Sequence, residues 1–198
     1  MTKPPYHHGA LADALVTAAL ARVEESGVEG ISMRELAQSL GVSHAAPYRH
    51  FEDRDALLAA VAARGFEDLV AVYEAALEGP GDGRTRLRAA TRAFFAFAIG
   101  RPNLYRLMFE SDLLGRTPPP AVLIPPADAS YRLIRRAVKG AFPDAGEVEV
   151  KIRTVIMVST SHGFLSLENA GRFKPFMYEP LTREEMVAAV LQALEGPI

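Results

Sequence analysis

Apolar residues recur at helical spacing along most of the chain, and no stretch alternates between apolar and polar residues as a half-buried β-strand would. Residues 10–26 form the first helical pattern, whose apolar face ends at Ser26-Gly27. A shorter pattern follows over residues 33–40. Its apolar positions, at i, i+3, i+4 and i+7, are Met33, Leu36, Ala37 and Leu40. The pattern predicts an all-α fold.

The second pattern has a marked start and a marked end. Ser32 and Glu35 have the spacing of a capping box, which predicts a helix start. Gly41 follows the last periodic residue, where a left-handed backbone would end the helix, and Val42 is placed to fill the angle with the next helix. Two short helices that meet at such a corner predict a helix-turn-helix.

The second helix of this pair begins near Ser43 and contains a proline. If Ser43 caps the helix, Pro47 removes the first regular intrahelical donor. If His44 caps it, Pro47 lies among amides that have no intrahelical partner in any case. We therefore predict a tight or slightly late helix start, and not a broken helix.

The outward-facing side chains of this helix combine donors, acceptors, a methyl group and an aromatic hydroxyl. Such a mixture reads base edges and holds phosphates in a major groove of double-stranded DNA. The predicted base contacts are Ser43, His44, Ala45 and Tyr48. The predicted contacts to the DNA backbone are Ser32, Arg34, Arg49, His50 and Arg54. Taken alone, the hairpin fits other all-α proteins equally well, because helix-turn-helix geometry is widespread.

Further motifs keep a fixed spacing over residues 6–66. They are Tyr6-His7-His8-Gly9, Gly41-Val42-Ser43, Tyr48-Arg49-His50-Phe51 and the acidic-Arg-acidic-Ala-Leu-Leu run that follows. Together they resemble the N-terminal domain of the TetR family of bacterial transcriptional regulators. Two later segments, 101–109 and 161–168, are similar to the C-terminal domain of a TetR subgroup named for a Trp-His-Gly signature, although Val158 stands about where the tryptophan would fall.

The remaining pattern predicts a long fourth helix, capped by Asp53 and running to about Leu77. Further helices are predicted over residues 85–99, 102–109, 127–141, 145–170 and 183–194, with an extended loop containing five prolines over 115–126. We expect two domains. Residues 1–52 form a helix-turn-helix DNA-binding domain, and residues 53–198 form a larger helical domain for ligand binding and dimerisation.

The last two predicted helices have apolar faces wider than one partner helix needs. We infer that a second copy of the chain covers them, so that the protein is a homodimer. The TetR resemblance implies the same arrangement, since the equivalent helices of that family build a dimeric four-helix bundle. A dimer also suits a palindromic operator, because two reading heads must enter successive major grooves about 34–36 Å apart.

His162 lies among hydroxyl residues in an otherwise apolar helix, which suits an orienting polar group in a small-molecule site. The predicted lining of that site is Phe94, Phe95, Phe97, Tyr105, Met108, Phe109 and His162. Plain core packing explains each aromatic residue equally simply. Ser161 and His162 are adjacent, so on a helix they point about 100° apart and do not face each other as nucleophile and base would. We expect no enzyme, no catalytic residue, no metal site and no cofactor.

Composition narrows these expectations. The chain has no cysteine, which excludes disulfides and thiolate metal sites, and neither a signal peptide nor a membrane span is recognisable, so a cytoplasmic location is expected. The formal net charge is −2, and residues 1–55 hold five basic groups against eight acidic ones. This balance argues mildly against a nucleic-acid partner and disfavours a binder that depends on charge alone. The location of the charges matters more than their sum, because Lys3, Arg34, Arg49 and Arg54 flank the predicted recognition helix.

These features predict a ligand-responsive DNA-binding regulator. In the mechanism that we expect, a small and partly apolar effector releases a repressor from its operator. Two alternatives are left open: a DNA-binding protein that is controlled by a protein partner without an effector, and, more remotely, an enzyme that uses His162.

Overall fold

A computed structural model describes residues 8–193 of the chain, and the described residues form eight α-helices and no β-strand. The helices are α1 His8–Ser26, α2 Met33–Ser39, α3 Arg54–Glu78, α4 Gly83–Gly100, α5 Pro102–Tyr105, α6 Ile124–Ala141, α7 Glu147–Asn169 and α8 Arg183–Ala193. The all-α prediction is confirmed. Leu194, the predicted end of the last helix, and the Tyr6-His7 part of the N-terminal motif lie outside the described residues.

The boundaries of α2 follow the local signals in the sequence. The Ser32 hydroxyl accepts a hydrogen bond from the Glu35 amide at 3.4 Å, which satisfies one of the unpaired donors at the helix start. Gly41 has a φ of 66°, so the backbone turns left-handed where α2 ends. The Val42 amide then bonds back to the Ala37 carbonyl at 3.0 Å, which closes the corner.

The segment after this corner differs from the prediction of a second α-helix. Residues 44–46 form a turn, and Pro47–Arg49 form a single turn of 3-10 helix. The Ala46 amide donates to the Ser43 carbonyl at 2.9 Å, three residues back. A regular α-helix would instead use the amide of residue 47 for that carbonyl, and proline has no amide hydrogen. The predicted continuous helix is therefore wrong, and we call residues 43–50 the recognition turn.

Contacts within the chain define two compact units. The first contains residues 8–66 and 101–127, and the second contains residues 67–100 and 128–193. Helix α3 contributes its first half to one unit and its second half to the other. The sequence indicated no return of residues 101–127 to the first unit, and the functional division after residue 52 stays a prediction.

In the first unit, α3 packs closely against residues 102–110. A Cβ atom on Gly65 would lie only 2.6 Å from the Met108 sulfur, so the glycine permits this close approach. Phe66 meets Phe109 edge-to-face at 5.1 Å. The predicted helix over 102–109 is α-helical only to Tyr105 and continues as a π-helical turn, Arg106–Glu110.

The predicted proline-rich loop is shorter than expected. Helix α6 begins at Ile124, so Pro125 and Pro126 lie in its first turn. Amides in a first helical turn have no intrahelical partner, and proline is therefore tolerated there. The prediction of an extended loop through residue 126 is wrong for this reason.

In the second unit, α4 begins where its backbone meets the end of α6. The Asp82 carboxylate caps α4 by accepting a hydrogen bond from the Thr85 amide at 2.8 Å. A Cβ atom on Gly83 would overlap the carbonyl group of Gly140. Only a glycine at residue 83 therefore allows the two helices to meet in this way.

We predict that Gly83→Ala lowers the free energy of unfolding by about 1–3 kcal/mol, because the backbone of α6 cannot rotate away from the added methyl group. The matched control is Gly140→Ala, whose Cβ atom meets no atom within 4 Å. This control should raise stability by about 0.5–1 kcal/mol, since alanine favours a helix more than glycine does. Urea unfolding followed by circular dichroism measures both changes, and equal stability of the two variants would contradict the prediction.

Candidate nucleic-acid interface and buried cavity

The recognition turn displays all four side chains that were predicted to read bases. Ser43, His44, Ala45 and Tyr48 are all exposed, and the Tyr48 side chain is 57% exposed although it is large and partly apolar. Pro47 faces inward and is buried, so the turn has one anchored side and one open side. The exposed hydroxyl of Tyr48 can accept a hydrogen bond from a donor on a base edge in the major groove. The small methyl group of Ala45 can contact the methyl group of thymine.

The predicted backbone contacts have different surroundings. Arg34 and Arg49 are exposed, whereas His50 and Ser32 are half-buried. The Ser32 oxygen accepts the Glu35 amide, which leaves the hydroxyl hydrogen able to donate to a phosphate. These positions fit the predicted roles, which stay predictions.

Arg54 has a structural role that the sequence did not indicate. Its Nε atom donates to the Ile31 carbonyl at 3.2 Å, and its guanidinium also donates to the Val28 carbonyl. The side chain thus ties the first turn of α3 to the connection between α1 and α2. Ile31 and Val28 lie 23 and 26 positions before Arg54 in the sequence. No local sequence signal could therefore have revealed these contacts.

The second unit contains a small cavity of about 20 Å³, roughly the room that a single water molecule needs. Its lining is Tyr73, Thr91, Phe94, Ile134, Met157, Val158, Ser161 and His162. Phe94 and His162 belong to the predicted ligand site. Thr91 was not predicted as a lining residue, although a polar residue on the apolar face of α4 could have indicated it. The other lining residues that were not predicted could not be identified from the sequence, because their place at the cavity depends on how the helices pack.

The other predicted lining residues lie elsewhere. Phe95 is buried, but it packs on Phe164, with ring centroids 5.8 Å apart. Phe94 and Phe95 are successive helical residues whose side chains point about 100° apart, so only Phe94 lines the cavity. Phe97 is also buried and does not line the cavity. The remaining three, Tyr105, Met108 and Phe109, belong to the first compact unit. The structure therefore divides the predicted aromatic cluster instead of gathering it around one cavity.

The side chains around the cavity are uncharged at neutral pH. Burial lowers the pKa of His162 to about 4, so its imidazole is neutral. Burial also raises the pKa of Tyr73, which stays a phenol. The His162 ring meets the Phe94 ring at 5.2 Å in a T-shaped contact. These groups suit an uncharged ligand, and a base with a pKa near 4 would be weak at neutral pH, which disfavours the enzyme alternative.

Helix α7 carries an apolar stripe on its exposed side. Val148, Ile152, Val155 and Ile156 recur at helical spacing and are all exposed, with Val148 70% exposed. Phe164 and Leu165, which also contribute to the wide apolar pattern of this helix, are buried. In α8, Met186, Val187 and Val190 are half-buried, and the side chains of Leu191 and Leu194 lie outside the described residues.

Comparison with known protein families identifies the chain. Residues 15–61 match the family model "Bacterial regulatory proteins, tetR family", and residues 87–194 match "Tetracyclin repressor-like, C-terminal domain". The second match alone covers more than half of the chain. The chain belongs to the TetR family. As a TetR-family protein it is a DNA-binding transcriptional regulator, and no helix within residues 8–193 is long and apolar enough to cross a membrane.

Individual relatives agree with the family. The activator FasR of Mycolicibacterium smegmatis is 40% identical over 88 residues, which are 44% of this chain. The nucleoid occlusion factor SlmA of Enterobacter sp. (strain 638) is 29% identical over 189 residues, covering 90% of this chain and 92% of SlmA. The alignments with FasR and with the SlmA of Vibrio vulnificus span only 40% and 53% of those proteins.

A solved structure of a protein of unknown function from Rhodococcus sp. RHA1 is also similar to this chain. It superposes with a TM-score of 0.79 and 33% identity, covering 98% of this chain and 97% of that one. The similarity to the Trp-His-Gly subgroup stays a prediction.

We predict that Tyr48→Ala weakens specific DNA binding by about 1–3 kcal/mol, because the side chain supplies a base contact from the open side of the recognition turn. Since Tyr48 is exposed, the melting temperature should stay that of the wild type. Tyr48→Phe is the matched control, which separates the hydroxyl from the ring. Titration of labelled DNA measures the affinities, and unchanged binding by Tyr48→Ala would remove Tyr48 from the interface.

We also predict that His162 makes stability depend on pH. Its folded-state pKa of about 4 lies below the usual 6.5, so the unfolded chain binds the proton first as the pH falls. The stability that neutral His162 contributes is complete above about pH 6.5 and is lost as the pH falls toward 4, by about 3 kcal/mol. Urea unfolding at pH 7 and pH 4 should show a larger loss for the wild type than for His162→Asn. Equal losses would contradict this prediction.

Proposed function

We propose that this TetR-family regulator is a homodimeric repressor that a small, uncharged and partly apolar effector releases from a palindromic operator. The observation that carries the proposal is the uncharged cavity in the second unit, because a few neutral donors and acceptors among apolar side chains are the usual composition of a small-molecule site. His162, Thr91 and Ser161 supply the polar groups, and the remaining lining is largely apolar.

The reading of DNA rests on the recognition turn. We assign base contacts to Ser43, His44, Ala45 and Tyr48, which are exposed on neighbouring positions. The helix-turn-helix of one chain reaches a single half-site, so that a palindrome requires two copies. TetR-family regulators act as dimers, and the exposed apolar stripe of α7 is the surface that we assign to the second copy.

Helix α3 supports a mechanism of population shift. Tyr73 in its second half lines the cavity, while Arg54 in its first turn holds the connection between α1 and α2. The cavity holds about one water molecule, so an effector binds only a conformation in which the cavity is larger. The effector binds the enlarged conformation more tightly than the resting one, and this difference in binding free energy shifts the population toward the enlarged conformation. In that conformation α3 is tilted, and the two recognition turns are out of register with the half-sites.

A second candidate is a DNA-binding protein that a protein partner controls without an effector. A cavity that side chains already nearly fill favours it. The similarity to FasR, which is named an activator, supports activation as an alternative sign of regulation.

Footprinting on genomic DNA, combined with melting in the presence of uncharged aromatic and aliphatic compounds, tests the proposal. We expect a two-fold symmetric footprint, and a compound that raises the melting temperature and lowers affinity for that site. Val158→Phe should fill the cavity and abolish the response to the compound while DNA binding is retained.

The outcomes separate the candidates. A symmetric footprint with no compound that acts through the cavity favours the effector-independent protein. The absence of any symmetric footprint would contradict both.

A further inference from the structure

Three consecutive residues fasten the first turn of α3 in three different ways. The Asp53 carboxylate caps the helix by accepting the Ala56 amide at 2.7 Å. Arg54 holds the carbonyl groups of the connection between α1 and α2, as described above. Asp55 accepts a hydrogen bond from Arg116 at 2.7 Å. The third contact is the one that neither the helix-turn-helix motif nor the proposed function explains.

Arg116 comes from the loop that precedes α6, 61 residues away from Asp55 in the sequence. Both residues belong to the first compact unit. Asp112 lies 3.6 Å from the same guanidinium and steadies it from within the loop. The hydrogen bond with Asp55 raises the pKa of Arg116.

The ion pair contributes little to the stability of the fold. The side chains of Arg116 and Asp55 are 39% and 45% exposed, and exposed pairs gain little because water screens the charges. A contact that contributes so little to stability can still affect function where a small shift in backbone orientation has a large effect on binding. The nearest such place along the chain is the recognition turn, which three residues separate from the start of α3.

The buried side chain of Pro47 anchors one side of the recognition turn. The backbone hydrogen bonds of the turn are local: the amides of Ala46, Arg49, His50 and Phe51 donate to carbonyls three or four residues earlier in the chain. The orientation of its open side therefore also depends on the two ends of the turn, which are the left-handed corner at Gly41 and the start of α3.

We propose that Arg116 is a positioning residue for DNA reading, which acts by holding Asp55 and thereby the orientation of the recognition turn. The guanidinium contacts the protein and not the DNA. We make this inference on the basis of the proposed operator binding, and it adds a loop outside the helix-turn-helix to the parts that determine affinity.

Arg116→Gln, Asp55→Asn and the double variant test the inference in the full chain. Each single variant should lower operator affinity about two- to fivefold, the range expected for the loss of an exposed ion pair, while affinity for unrelated DNA and the melting temperature stay the same. The double variant should bind as weakly as either single variant, because both substitutions break one contact. Hydrogen exchange should become faster at the amides of residues 46–51.

The sign of the Asp55→Asn effect separates positioning from simple electrostatics. Asp55→Asn removes a negative charge, which by charge alone would strengthen binding to DNA, whereas loss of positioning weakens it. Arg132→Gln is the matched control: it removes the same positive charge from another exposed pair, 3.8 Å from Asp128, and should leave operator affinity unchanged.

Three results would overturn the inference. They are tighter binding by Asp55→Asn, additive losses in the double variant, and an equal loss of affinity for unrelated DNA by Arg116→Gln, which would place the guanidinium on a phosphate. If the wild type protects no symmetric site, the proposed operator binding itself fails. The exchange rates at residues 46–51 then still decide whether the ion pair orders the recognition turn.

Discussion

The recognition turn does not form a regular α-helix: Pro47 has no amide hydrogen for the Ser43 carbonyl, and Pro47–Arg49 form a single turn of 3-10 helix. The backbone hydrogen bonds of this short segment are local. The molecule places rigid structure on both sides of it, with a left-handed corner at Gly41 and a capped helix start at Asp53. The side chains that we propose to read bases are thus exposed on a short segment held at both ends.

Helix α3 connects this arrangement to the rest of the chain. Its first turn holds the connection between α1 and α2 through Arg54, and its second half places Tyr73 at the uncharged cavity. One continuous helix of 25 residues thus carries both a residue near the recognition turn and a residue that lines the cavity. The proposed regulation requires no other connection between the two.

Local signals in the sequence predicted local structure well. Ser32, Gly41 and Asp53 act within three or four residues of themselves, and each does in the structure what its position predicted. Contacts between distant residues had no such signal. Neither the bond from Arg54 to Ile31 nor the division of the aromatic residues between two units could be predicted, because periodicity gives the face of a helix but not its neighbour.

The size of the cavity has a consequence for how tightly any ligand is measured to bind. A ligand larger than a water molecule selects a conformation that is only a fraction of the resting population, and its apparent dissociation constant is the intrinsic one divided by that fraction. Part of the interaction energy is therefore spent on opening the protein. A substitution that makes the enlarged form more common at rest would therefore tighten binding without adding a contact.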